Sequence, residues 1–364
     1  MSLILLVLLT LLLAAANGAN DNIKGAATLV GSGLVGHRGA IVFATVATAV
    51  GGVASIYLAN GLLVAFSGRD IVPQEITASL PFLLSVAGGA AMTVWLATWT
   101  GMPVSTTHAL LGGLLGAGVA VVPQQVGLAV ATKAMLLPLL VSPLLALLLA
   151  LVLVPAVRRL RARLAQSDPC VCSDVEMVVD GPALAAARTT IIYATAGATA
   201  CAPAPGRRVA LLPVRLWLDR AHLGSAAAVS FARGLNDTPK IAALMVAGGG
   251  GLGVGTASLT VVTAMALGGL LASRRVSETL AHKVTRMDAG EGLGGNLVTT
   301  ALVIGASRFG LPVSTTHVST GALFGIAAGN GSGHANVIRR ILLAWCITLP
   351  LASVLAFGLG LLLR

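Results

Sequence analysis

The chain has 364 residues, 56% of them hydrophobic and 10% charged, with a formal net charge of +11 and a mean hydropathy of +0.94. A soluble domain carries about 25% charged residues and a disordered chain is poor in apolar ones, so both classes are excluded. The 44 glycines keep no G-X-Y period, which excludes collagen, and with only 4% aromatic residues the basic excess reads as membrane topology rather than as a nucleic-acid surface.

Residues 1–16 resemble a signal-peptide core, but no basic stretch precedes them, so they read as the start of a membrane helix. A spanning helix needs about 20 mostly apolar residues. Candidate apolar segments follow at 3–35 (interrupted at 17–21), 40–66, 76–100, 106–122 and 127–157. A polar stretch occupies 158–220. Beyond it lie 221–250 (interrupted at Asn236-Asp237), 256–272, 290–309, 315–328 and 341–363. The expected organisation is a first transmembrane repeat (1–157), a basic linker (158–220) and a second transmembrane repeat (221–364). Within the linker, 184–202 is weakly apolar. A crossing there would split the linker arginines across both faces, so it is read as part of the linker.

The two halves repeat in sequence. Residues 101–108 read GMPVSTTH and residues 310–317 read GLPVSTTH, and Gly112 and Gly116 then match Gly321 and Gly325. Residues 18–24 read GANDNIK and residues 234–240 read GLNDTPK. Two such pairs in the same order mean internal duplication. If each PVSTT segment is the tip of a re-entrant hairpin, each half crosses the membrane three times and the halves are inverted. With the linker placed in the cytoplasm, sixteen of the 23 lysines and arginines fall inside and only Arg69 and Arg364 outside. Both termini are then predicted outside. If every hairpin arm spanned fully, each half would cross five times and the parity would survive.

In the PVSTT tips, proline suits the first turn of a helix and Ser or Thr can cap it. Ser105, Thr106 and Thr107, with Ser314, Thr315 and Thr316, also offer hydroxyls beside free N–H groups, which suits a tetrahedral oxyanion. Two inverted copies would aim two helix N-termini at one midplane site. Asp21 and Asp237 sit with Asn20 and Asn236 in segments expected to be unwound, and an ionisable residue at membrane depth points to function. Lys24 and Lys240 follow three residues later, on the same face as the aspartates if the helix continues. They either neutralise the aspartates or complement a bound anion. His108 and His317 read as structural. Glu291 and Asn296 have no counterpart in the first half and rank low. Cys170, Cys172, Cys201 and Cys346 make neither a disulfide framework nor a metal site.

These doubled motifs, G-x-N-D and G-[LM]-P-V-S-T-T-H, resemble those of the inorganic phosphate transporter (PiT) family, over nearly the whole chain except the linker. The resemblance implies an all-α polytopic membrane fold, with two inverted-topology repeats, discontinuous helices and re-entrant hairpins. It implies a non-enzymatic carrier in the cell membrane, surrounded by lipid and assembled as a homodimer, with phosphate as substrate, no cofactor and no nucleic-acid partner. Ser105, Thr106, Thr107, Ser314, Thr315 and Thr316 would contact phosphate, and Asp21, Asp237, Asn20 and Asn236 would serve phosphate and the coupling ion. Sodium-coupled members read N-D-x-[AS]-N, whereas Lys24 and Lys240 stand at the last position here. An ammonium there should repel Na⁺, so coupling to H⁺ is favoured over Na⁺. Rival readings are a sulfate permease of the same fold, an intramembrane aspartyl protease using Asp21 and Asp237, and a channel or phosphate-sensing receptor. The stretch 211–218 with the linker arginines suits an anionic membrane surface.

Overall fold

The computed structural model describes residues 2–165, 169–179, 185–195, 207–211, 214–249 and 251–363. Cys201 and Arg364, and positions 212–213 of the 211–218 stretch, lie outside the described residues.

The first half opens with α1 (Ser2–Asp21), a 3₁₀ turn (Asn22–Gly25) and α2 (Ala27–Gly31). α3 (His37–Leu58), α4 (Asn60–Ala65) and α5 (Gln74–Thr77) lead to a hairpin of α6 (Leu80–Trp99) and α7 (Thr106–Val121). α8 (Leu128–Val130) passes through a π-helical stretch (Ala131–Leu136) into α9 (Leu137–Ala165). The second half comprises α10 (Val214–Ala247), α11 (Val254–Ala272), α12 (Arg274–Glu278), a hairpin of α13 (Ala289–Arg308) and α14 (Thr315–Asn330), and α15 (Ala335–Leu362).

The linker holds the only strands among the described residues. β1 (Pro169–Val179) pairs antiparallel with β2 (Ala185–Thr195) and β3 (Arg207–Leu211), in the order β2-β1-β3. The weakly apolar 184–202 stretch therefore contributes a paired strand, not a crossing helix. α9 and α10 both reach into the 158–220 span from its two ends.

Among the described residues, six helices are long and apolar enough to cross a membrane: Ser2–Gly25, His37–Leu58, Leu80–Trp99, Leu128–Leu160, Val254–Ala272 and Ala335–Leu362. α10 has 34 residues but carries Arg233, Asp237 and Lys240 at its middle, which lowers its hydropathy. The chain is a multi-pass membrane protein.

Packing follows the sequence repeat. α1 packs on α11 and α6, while α10 packs on α3 and α13; α7 packs on α15, while α14 packs on α9. Exchanging α1 with α10, α3 with α11, α6 with α13, α7 with α14 and α9 with α15 maps each of these pairs onto another. The matched glycines make these crossings close. Gly112 and Gly116 lie against the Leu349 and Ser353 carbonyls of α15, and Gly321 and Gly325 against the Pro143 and Leu147 carbonyls of α9. A side chain at any of the four would strike backbone, so small residues at i and i+4 set the helix approach.

Two large apolar cores result among the described residues. One joins α6 and α7 to the start of α1, the end of α10 and α15; the other joins α13 and α14 to α2, the start of α10 and α9. Each hairpin belongs to one core, and the two meet at their tips: the Thr107 hydroxyl donates to the Val313 carbonyl at 3.4 Å and the Thr316 hydroxyl to the Val104 carbonyl at 2.7 Å. The hairpins thus meet tip to tip, an arrangement consistent with inverted repeats.

One expectation fails. Both Asn-Asp segments were expected to be unwound, but Asn20 and Asp21 close α1 and the break comes just after them. Asn22–Gly25 forms a tight turn buried in protein, which is where irregular backbone is tolerated at membrane depth. α10 continues through Asn236 and Asp237 with Pro239 inside it. Local propensity does not account for the difference, because Pro239 penalises a helix more than Gly25 does; the packing of α10 on α3 and α13 holds it through.

Candidate functional site

The G-x-P-V-S-T-T-H motif builds each tip residue by residue. Gly101 (φ +73°) and Gly310 (φ +68°) take the left-handed conformation that ends α6 and α13. The Met102 N–H then reaches back to the Ala97 carbonyl, and the Leu311 N–H to the Ala306 carbonyl, both at 2.9 Å. This is the Schellman closure of a helix. Pro103 and Pro312 cannot continue a helix and hold the chain extended. Ser105 Oγ accepts from the His108 N–H at 3.1 Å, and Ser314 Oγ from the His317 N–H at 3.2 Å, starting α7 and α14. The first-turn N–H groups of Thr106, Thr107, Thr315 and Thr316 are left without intrahelical acceptors.

All twelve residues singled out from the sequence are buried and converge on these tips. Asn20 latches the first tip: its Nδ2 donates to Thr98 Oγ1 and to the Met102 carbonyl, both at 3.0 Å, and its Oδ1 accepts from the Val104 N–H at 3.1 Å. Asn236 does the same for the second. Its Nδ2 donates to the Val313 carbonyl at 3.2 Å and its Oδ1 accepts from Ser307 Oγ at 3.1 Å. Both asparagines, like the serine caps Ser105 and Ser314, are engaged in building the tips.

The lysines cross between halves. Lys24 Nζ donates to Asp21 Oδ1, to the Val104 carbonyl of its own hairpin at 3.3 Å, and to Thr316 Oγ1 of the opposite hairpin. Lys240 Nζ donates to the Val313 carbonyl of its own hairpin at 2.7 Å and to Thr107 Oγ1 of the opposite one at 2.9 Å; Asp237 Oδ1 lies 3.9 Å away. Each ammonium stands where the two tips meet. Thr315 Oγ1 donates to Asp237 Oδ2 at 3.4 Å. Thr106 Oγ1 accepts from Asn17 Nδ2 at 2.9 Å.

Two central residues were missed. Asn17 Nδ2 also lies within 3.2 Å of Asp21 Oδ2 and 3.3 Å of Asp237 Oδ2, bridging both carboxylates. Arg233 Nη2 donates to Asn17 Oδ1 at 2.6 Å, and its Nε lies 3.8 Å from Asp237 Oδ2. The two residues occupy the same repeat position, immediately before G-A-N-D and G-L-N-D. The signal was present: Arg233 is a fully buried arginine in an apolar segment. Formally the site holds three cations (Lys24, Arg233, Lys240) and two carboxylates (Asp21, Asp237), an excess of positive charge suited to an anion.

His108 and His317 pack against each other with tilted rings, centroids 4.4 Å apart, and His317 packs likewise on Trp345 at 3.9 Å. With Trp345 they line a cavity of about 830 Å³ between α9, α14 and α15. Glu291 belongs to a capping box with Asp288 at the start of α13 and meets Arg158 at 3.5 Å. At the C-terminal end of α6, Arg275 Nη1 donates to the Trp99 carbonyl at 2.6 Å, where a cation complements the helix dipole.

Buried charge and hydroxyls, clamped between two hairpins that meet tip to tip inside a bundle of membrane helices, define a polytopic membrane protein with a buried polar site. Residues 17–356 match the model of the phosphate transporter family, and the chain belongs to that family. It is 28% identical over 364 residues to a probable low-affinity inorganic phosphate transporter of Mycobacterium leprae, covering 96% of this chain and 75% of that one. It is 26% identical over 406 residues to a putative phosphate permease of Pyrococcus abyssi, covering 97% and 96% of the two chains. Among solved structures it is similar to one described as the sodium-dependent phosphate transporter, with a TM-score of 0.77 over 100% of this chain and 98% of that one. Sequence identity there is 20%, so that likeness is one of fold.

Proposed function

We propose that this chain is a secondary active carrier that moves inorganic phosphate by alternating access, independently of sodium and coupled to protons. The observation that carries the reading is the placement of Lys24 and Lys240, each reaching a carbonyl of its own hairpin tip and a threonine hydroxyl of the other. A tetrahedral oxyanion entering between the tips would meet two ammonium groups, the Thr106, Thr107, Thr315 and Thr316 hydroxyls, and the positive ends of α7 and α14. The same ammonium groups oppose a mobile sodium ion. Opening one tip-to-tip contact at a time, on opposite sides, would give access from each side in turn.

The paired carboxylates do not favour the protease reading. A proton-sharing dyad sets two carboxylates against each other. Here Asp21 is paired with Lys24, and Asp237 lies beside Arg233 and Lys240. The positive-inside distribution supports a cytoplasmic linker and external termini, and the family resemblance supports a homodimer embedded in lipid.

The test is uptake of labelled phosphate into proteoliposomes under an inward proton gradient, with and without sodium and with excess sulfate. Uptake should ignore sodium, collapse with the gradient and resist sulfate. A sodium requirement would overturn the reading of the lysines, and full competition by sulfate would make the substrate tetrahedral oxyanions in general.

A further inference from the structure

A second set of buried polar side chains runs from Lys24 toward the linker-side end of the molecule, where α9 ends and α10 begins. Thr28, His222, Ser225 and Asn296 are all buried. The His222 Nε2 and Thr28 Oγ1 atoms lie 3.0 Å apart. Asn296 Nδ2 donates to Thr28 Oγ1 at 3.0 Å and to Ser225 Oγ at 3.2 Å. Between this cluster and Lys24 lies a cavity of about 10 Å³, with Lys24, Thr28, Asn296, Thr299 and Ser319 in its wall. That is room for one water among polar partners. On its other ring nitrogen, Nδ1, His222 has no hydrogen-bond partner although fully buried.

The fold does not require this cluster. Extending the repeat alignment, Thr28, His222, Ser225 and Asn296 correspond to Leu244, Leu6, Leu9 and Ala87. Leu6, Ala87 and Leu244 belong to the apolar core beside the first hairpin, and Leu9 packs against it. Even the space for the imidazole is specific to one half. Gly292 lies against His222 and Thr28, and a Cβ there would press on both; the matching position is Leu83. The polar route therefore exists on one side of the site alone. At its outer end the acidic groups acting on His222 are Asp219 on its own helix and Asp288 at the start of α13. Glu291 follows on α13, and α2 brings no titratable group. Asp288 is exposed and Asp219 half-exposed, while His222 itself is buried.

We propose that Thr28, Asn296 and His222 form a one-sided proton path between Lys24 and the linker-side surface, with His222 as its relay. The proposal rests on the carrier reading above. In the outward direction, the Lys24 ammonium gives a proton to the cavity water, which passes one to Thr28 Oγ1. Thr28 turns its hydroxyl proton from Asn296 Oδ1, 3.2 Å away, to His222 Nε2 and gives it up there, and His222 releases its Nδ1 proton toward the surface. The water and Thr28 each gain one proton and lose one; His222 gains at Nε2 and loses at Nδ1, so its other tautomer results and is reset when the ring turns over or the path runs inward. Lys24 ends one proton poorer and solvent one richer; the inward direction is the reverse. Asn296 orients Thr28 and does not itself change protonation.

The experiment uses the full-length carrier in proteoliposomes containing a pH-sensitive dye, with inorganic phosphate as the probe. Two quantities are read: phosphate–phosphate counterflow, which needs no net proton movement, and acidification of the lumen driven by phosphate entry. In His222→Asn, counterflow should stay within about twofold of the parent while phosphate-driven acidification falls by about a hundredfold, the scale of losing a proton-transfer group. Thr28→Val should do the same and serves if the histidine variant fails to fold. Acidification unchanged in both variants, or counterflow and acidification falling together, would overturn the relay. If the parent carries phosphate without acidifying the lumen, both the relay and the proton-coupling reading fail. If the parent carries no phosphate at all, the carrier reading itself fails.

Discussion

Arg233→Gln removes the most connected side chain of the site. Its guanidinium donates to the Asn17 carbonyl at 3.2 Å, Asn17 Oδ1 at 2.6 Å, Asn22 Oδ1 at 3.4 Å and Thr48 Oγ1 at 3.3 Å, and it lies beside Asp237. Removing one member of a buried charge pair costs about 3–5 kcal/mol, and here Asp237 would keep only Lys240, 3.9 Å away, as a cationic neighbour. At about 2 °C per kcal/mol for a chain of this size, the thermal midpoint in detergent should fall by roughly 6–10 °C. Arg233→Lys keeps the charge but loses the fork, and should fall in between. The decisive comparison is the double variant Arg233→Gln with Asp237→Asn. Removing both charges leaves no orphan carboxylate, so the two changes should couple by about 1–3 kcal/mol in favour of the double variant. Thermal unfolding followed by tryptophan fluorescence measures the parent, Arg233→Gln, Arg233→Lys, Asp237→Asn alone and the double variant. Strictly additive losses would refute the claim that Asp237 depends on Arg233.

Other consequences concern the tips and the lysines. Ser105→Ala and Ser314→Ala each remove a helix cap and should cost about 0.5–2 kcal/mol, with equal effects in the two halves, measured by the same thermal assay. A much larger transport defect than stability defect in either would mean that the serine hydroxyl also touches substrate. Lys24→Asn should bring sodium-stimulated phosphate uptake, read as the ratio of uptake with and without sodium. An unchanged ratio would show that the ammonium is not what opposes the ion.

The sequence by itself carried everything that depends on a few consecutive residues. Gly101 and Gly310 stop a helix, Pro103 and Pro312 keep it stopped, and Ser105 and Ser314 start the next, because each acts on backbone groups within about four positions. The repeat was legible for the same reason, as was the burden of buried charge in Asp21, Lys24, Asp237 and Lys240. Which residue meets which was decided only by tertiary packing. Lys24 reaches Thr316 across 292 positions and Lys240 reaches Thr107 across 133, contacts that exist because glycine faces let the two halves interlock. The same packing joins Arg233 to Asn17. It also keeps α10 helical through its Asn-Asp pair while the first half breaks, and it gathers His222, Thr28 and Asn296 from three helices of which no one sequence window contains two. Local hydrogen bonding is written in short motifs. The pairing of buried charges depends on the surface each helix presents to distant partners, and that is set only when both halves have packed.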